Sequence, residues 1–229
     1  MNAPSLNTTA TLPLPAERHR VLRNTYGLLA LSLLPTVAGA WLGVQANFSL
    51  LAGRPFMGFV VFLAIAFGFF WGIERTKNSA WGVALLLGFT FFMGLMLSGL
   101  LRVALGLSNG GQLIALAGGG TAAVMFAMAG VATTSKRDFS SMGKFLLVAL
   151  IALFVAMVGN LFLQIPALAL TLSMLAIVLF SAFLLYDLSR IVNGGETNYI
   201  SATLAVYLSL YNIFANLLSL LMAFTGERE

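Results

Sequence analysis

The sequence has no cysteine and a single histidine, His19. The first absence excludes disulfides and thiolate metal sites. The second excludes histidine-based catalysis within the membrane, because His19 lies in a polar stretch near the N-terminus. Charge is also scarce. Only 8% of the 229 residues are Asp, Glu, Lys or Arg, against about 25% in an ordinary soluble protein. A globule so poor in charge could not cover its own surface, whereas a chain solvated by membrane lipid can. The formal charge is +5, but no run exceeds two adjacent basic residues. A nucleic-acid partner would need a dense basic face, so none is expected, and the charge is better suited to orienting the chain in a bilayer.

What is abundant is apolar: 60% of the residues are hydrophobic, with 23 glycines and 19 phenylalanines. A hydrocarbon core needs roughly 20 apolar helical residues to cross it. Seven stretches meet that length, at about 25–46, 55–73, 80–101, 112–131, 144–163, 167–186 and 200–224. Polar or helix-breaking residues separate them: Arg54-Pro55, Glu74 to Ser79, Ser108-Asn109-Gly110-Gly111, Thr133 to Ser141, and Asn193 to Asn198. The gap Leu163-Gln164-Ile165-Pro166 is short enough to demand a tight hairpin. The alternative is one long broken helix and six spans. The expected fold class is therefore an all-α integral membrane protein, a bundle of seven transmembrane helices. Residues 1–22 form a polar tail and residues 23–226 the membrane domain.

Lysine and arginine set the orientation. Arg18, Arg20, Arg23, Arg75, Lys77, Lys136, Arg137, Lys144 and Arg190 fall on the side of the N-terminus and of loops two, four and six. Arg54, Arg102 and Arg228 fall on the other. This bias predicts a cytoplasmic N-terminus and an outward C-terminus, Gly226 to Glu229. A competing reading makes the basic cluster, the first apolar run and Ala38-Gly39-Ala40 a cleavable signal peptide. The long polar lead and the flanking Pro35 and Trp41 favour an uncleaved first helix. Gly39-x-x-x-Gly43 and Gly68-x-x-x-Gly72 have the spacing that lets two helices approach closely, and Gly118-Gly119-Gly120 could do the same.

Ionisable groups at membrane depth are costly and therefore functional candidates. Asp187 closes the sixth apolar run in Leu185-Tyr186-Asp187-Leu188, and its charge state turns on whether Arg75 or Arg190 reaches it. Glu74 beside Arg75 is a further possible charge partner. Asp138 belongs to loop four. In the last span Ala202, Ala205, Ser209, Asn212, Asn216 and Ser219 recur at intervals of three and four, which keeps them on one helical face. Lipid cannot satisfy an amide, so this face should point into the bundle, with Asn212 and Asn216 either bonding neighbouring helices or lining a hydrated path. Several enzymes fail on inventory. A serine protease lacks a base, an aspartyl protease lacks a second membrane carboxylate in the last helix, and a retinal protein lacks its lysine there.

Three C-terminal segments, Leu185-Tyr186-Asp187-Leu188, Gly194-Gly195-Glu196-Thr197-Asn198-Tyr199-Ile200 and Tyr207-Leu208-Ser209-Leu210-Tyr211-Asn212-Ile213-Phe214, resemble the Bax-inhibitor (transmembrane Bax-inhibitor-motif) family, and within it the bacterial YccA branch. His19 to Tyr26 and Asn160 to Leu168 agree with it. The resemblance implies six helices around a central seventh, no enzyme activity and no cofactor. It implies an inner-membrane protein that modulates the membrane-anchored ATP-dependent protease FtsH, which grips the N-terminal tail. The alternative it offers is a pH-sensitive calcium or cation leak, gated by two aspartates that share a proton. Asp187 stands at the first of those positions, but Ser209 stands at the second, and an aspartate beside a serine cannot split a proton in that way.

Overall fold

The computed structural model describes residues 15–50, 53–135 and 137–225. Seven long helices account for nearly all of them: α1 (Pro15–Gln45), α2 (Pro55–Thr76), α3 (Ala80–Leu105), α4 (Gly110–Thr134), α5 (Gly143–Leu163), α6 (Pro166–Val192) and α7 (Tyr199–Thr225). A short 3-10 turn, Phe139–Met142, leads into α5. All seven helices are long and apolar enough to cross a membrane. Large side chains such as Trp41, Phe67, Trp71, Trp81, Phe126 and Phe145 face outward. In water such a surface would be untenable; in lipid it is the solvated surface, and the protein is a multi-pass membrane protein.

The boundaries follow from local chemistry. Pro55 and Pro166 occupy the first turns of α2 and α6, where a missing N–H costs nothing. The α5–α6 hairpin closes on Gln164, which adopts a left-handed conformation (φ 53°), while the Asn160 carboxamide oxygen accepts from Ile165 N at 3.1 Å. The spans thus number seven, not six. α1 starts earlier than the polarity of its sequence suggests. The stretch expected to be tail is helical from Pro15 onward, and a proline at the first position suits a helix start. Residues 1–14 of the tail expected over 1–22, Lys136, and the C-terminal segment 226–229 lie outside the described residues.

α7 is the central element. It packs directly on α1, α2, α3, α4 and α6, while α5 packs against the outside of α6. Every α7 side chain from Tyr199 to Met222 is at least partly buried. Its apolar residues are buried along with its polar stripe: Ile213 and Leu218 are fully buried. An aromatic cluster joins three helices, with Phe70 of α2 and Tyr207 of α7 both against Phe89 of α3 at centroid distances of 5.3 and 6.4 Å.

α1 and α3 form the most extensive pair in the bundle. Glycine makes it possible. A Cβ on Gly39 would stand 2.2 Å from the Phe91 carbonyl oxygen, and one on Gly94 would stand 2.1 Å from that of Thr36. Of the two glycine spacings visible in the sequence, only Gly39-x-x-x-Gly43 works in this way. Gly68 has nothing within 4 Å, and Gly72 meets only the tip of Leu85.

Candidate functional site

The polar groups of the membrane domain gather at the face formed by loops two, four and six. Loop six is folded by its own sequence. Gly194 takes a positive φ of 77°, and the Arg190 carbonyl accepts from Gly195 N and Glu196 N, which ends α6. The Glu196 carboxylate then takes the Arg190 guanidinium at 3.2 Å with one oxygen and Asn198 N at 3.0 Å with the other. Asn198 caps α7, its Oδ1 accepting from Ile200 N and Ser201 N at 2.9 and 3.1 Å. Its amide nitrogen crosses to loop two, donating to the Lys77 carbonyl at 3.0 Å and to Asn78 Oδ1 at 2.8 Å. The Gly-Gly-Glu-Thr-Asn segment is therefore a structural clasp. It ends one helix, starts the next, and ties both to loop two.

Loop four is fastened to α6 in a similar way. Asp138 Oδ1 accepts from Ser140 N, from the Ser140 hydroxyl and from Asn193 Nδ2, and the buried Ser189 hydroxyl accepts from Phe139 N at 3.2 Å. The bonds from Ser140, with those from Asn193 and Ser189, hold the Asp138 carboxyl below the usual carboxylate range.

Asp187 lies one helical turn inside this face, only 9% exposed. Among the described residues no hydrogen bond or salt bridge reaches its carboxylate. The arginines considered as its partners are engaged elsewhere. Arg190 holds Glu196 and covers the Tyr186 ring, and Arg75 lies over the Trp71 ring. Glu74 pairs with Lys77 and accepts from the Ser201 hydroxyl at 3.4 Å. An exposed pair of this kind contributes little to stability. Ser209 is buried deeper in the bundle, about 15 Å along α7 from Tyr199. No hydrogen bond joins it to Asp187.

Asn212 and Asn216 turn back on their own helix. Each amide donates to the carbonyl four residues earlier in α7 itself, Leu208 and Asn212 respectively, both at 2.8 Å. Neither carboxamide bonds a neighbouring helix among the described residues. The bonds between helices fall to residues that the sequence reading passed over. The Tyr207 hydroxyl shares a hydrogen bond with that of Thr36 in α1 at 2.9 Å and reaches the Thr90 carbonyl of α3 at 3.4 Å. The Tyr211 hydroxyl donates to the Met93 carbonyl, and the Thr203 hydroxyl to the Thr25 carbonyl. Thr203, Tyr207 and Tyr211 recur every four residues, and that spacing was the available signal.

The chain is similar in sequence to known proteins. Residues 18–226 match the family described as Inhibitor of apoptosis-promoting Bax1. The chain is 40% identical over 213 residues to an uncharacterised protein of Neisseria meningitidis, covering 92% of this chain and 94% of the other. It is 39% identical over 203 residues to the Escherichia coli protein named modulator of FtsH protease YccA, covering 89% and 90%. An uncharacterised membrane protein of Vibrio cholerae is 37% identical over 221 residues, covering 96% and 97%. With the match spanning all seven helices, the loop-six clasp and the tyrosine-bearing central helix, the chain belongs to the Bax-inhibitor family.

Proposed function

We propose that this chain is an inner-membrane protein that binds and modulates an FtsH-type membrane-anchored protease, without catalytic activity of its own. The observation that carries the reading is the identity along nine-tenths of both chains to the protein named modulator of FtsH protease YccA. The inner-membrane location follows the name of a second Escherichia coli relative, inner membrane protein YccA, at the same identity. In this reading the N-terminus is cytoplasmic, as the lysine and arginine bias predicts. The protease then meets the face of loops two, four and six and grips the tail ahead of α1. Deleting residues 2–14 leaves α1 whole, so the shortened protein should insert normally and survive severalfold longer in cells that contain the protease. Pulse-chase of both forms measures this. Failure of the intact protein to co-purify with the protease under mild detergent would end the proposal.

A second reading, a calcium or cation leak, draws on Asp187, a buried carboxyl with no salt bridge among the described residues. With Ser209 in place of a second carboxylate, any titration there involves one group rather than a shared proton. Purified protein in liposomes should then pass calcium, and Asp187→Asn should alter the pH dependence of the flux. Flux equal to that of empty liposomes removes this reading.

A further inference from the structure

A cleft of about 770 Å³ opens between loop two with the start of α3 and the start of α7. Its upper rim is polar, formed by Lys77, Asn78, Thr197 and Asn198, and its floor is apolar, formed by Val83, Ala84, Leu87 and the side of Tyr199. From Ala80 to Leu87 the floor runs about 10 Å into the span.

Two neighbouring features fix the depth of the rim. Trp81, in the first turn of α3, is 74% exposed, and Trp71 is 66% exposed with the Arg75 guanidinium 5.3 Å above its ring. Exposed tryptophans and basic side chains lie at the level of lipid headgroups. The rim is therefore at headgroup depth and the floor is within hydrocarbon. The Ser79 hydroxyl donates back to the Thr76 carbonyl instead of capping α3. The first amides of α3 thus add positive potential beside Lys77. The Lys77 side chain is one-third exposed and pairs with Glu74, and the Glu196 carboxylate also acts on its charge, yet an ammonium has three donors and can serve a further anion.

We propose that this cleft is a binding site for an anionic phospholipid, its phosphate on Lys77 and one acyl chain along Val83, Ala84 and Leu87. Charge complementarity selects an anionic head over a zwitterionic one, and the apolar floor selects a lipid over a free anion. A lipid seated there touches loop two and the first turn of α7 together, so it would reinforce the contact that Asn198 makes. The proposal rests on the membrane fold and is independent of the protease reading.

The experiment uses the full-length protein in mild detergent, with binding of phosphatidylglycerol and phosphatidylcholine compared by native mass spectrometry. Phosphatidylglycerol should bind at least about fivefold more tightly, the contribution of one basic residue near an anionic lipid. Lys77→Gln should remove that preference. Ala84→Phe, at an exposed position on the floor, should weaken both lipids. Arg137→Gln, on the same face but outside the cleft, should change neither. The melting temperature of each variant without added lipid should match that of the parent, which separates lost binding from lost folding. A preference that survives Lys77→Gln, or that Arg137→Gln removes equally, overturns the proposal. So does inorganic phosphate displacing the lipid at equal concentration.

Discussion

Gly94→Ala should destabilise the bundle by about 3 kcal/mol, the upper part of the range for forcing extra methylenes into a packed interior. The added carbon would lie 2.1 Å from the Thr36 carbonyl oxygen and 2.9 Å from Ala40 N. Both are backbone atoms, so no side chain can rotate away, and α1 must separate from α3. The damage would spread beyond that pair. Thr36 also supplies the hydroxyl that meets Tyr207 at 2.9 Å, and moving its backbone outward breaks the bond that ties α1 to the central helix. Gly39→Ala, whose new carbon meets the Phe91 carbonyl, should behave likewise. Gly99→Ala and Gly68→Ala introduce the same methyl with nothing within 4 Å. They should be neutral or stabilising by up to about 1 kcal/mol, the ordinary helix preference for alanine over glycine. Thermal melts of the four variants in one detergent test the sign as well as the size. If Gly94→Ala melted with Gly99→Ala, the close approach of α1 and α3 would be refuted.

The comparison between glycines shows how far the sequence is readable. Spacing alone placed Gly39-x-x-x-Gly43 and Gly68-x-x-x-Gly72 on equal terms, yet only the first meets a backbone. The difference lies in which helix stands opposite, and that is tertiary information. Span number and class were legible because twenty apolar residues in a row admit few other solutions. The polar stripe of α7 was legible as a face but not as a set of bonds. A carboxamide can close onto its own helix four residues back, as Asn212 and Asn216 do, and spacing does not distinguish that from a bond to a neighbour. The role of Tyr207 was hidden for a related reason. In a membrane helix an aromatic ring suggests packing or the interface, and the value of its hydroxyl depends on Thr36, 171 residues away in sequence. Asp187 was found from the rarity of charge, but the carboxylate that takes the Arg190 guanidinium was not. Arg190 follows it by three residues and still turns to Glu196, because the Gly194-Gly195 turn brings that carboxylate back over the end of α6.

The same turn makes Asn198 the most exposed weakness of the fold. Asn198→Ala removes four hydrogen bonds at once. Two of them cap α7, at Ile200 N and Ser201 N, and two reach loop two, at the Lys77 carbonyl and Asn78 Oδ1. Loss of an asparagine cap costs about 1 kcal/mol, and each further bond about 1 kcal/mol at a partly buried site. A total near 2–3 kcal/mol is expected, less than the plain sum because water can replace the bonds at the rim. Asn198→Asp separates the two halves of the role. A carboxylate still accepts from both α7 amides and suits the positive end of the helix, but it has no hydrogens to give to loop two. It should therefore recover about half of the loss. Hydrogen exchange distinguishes the variants more sharply than melting does. Alanine should speed exchange both in the first turn of α7 and in residues 77–79, whereas aspartate should speed it only in residues 77–79. Equal protection of that loop in the alanine variant would show that loop two is held by its own helices and not by the clasp. The face offered to a protease or a lipid would then be set by α2 and α3 alone.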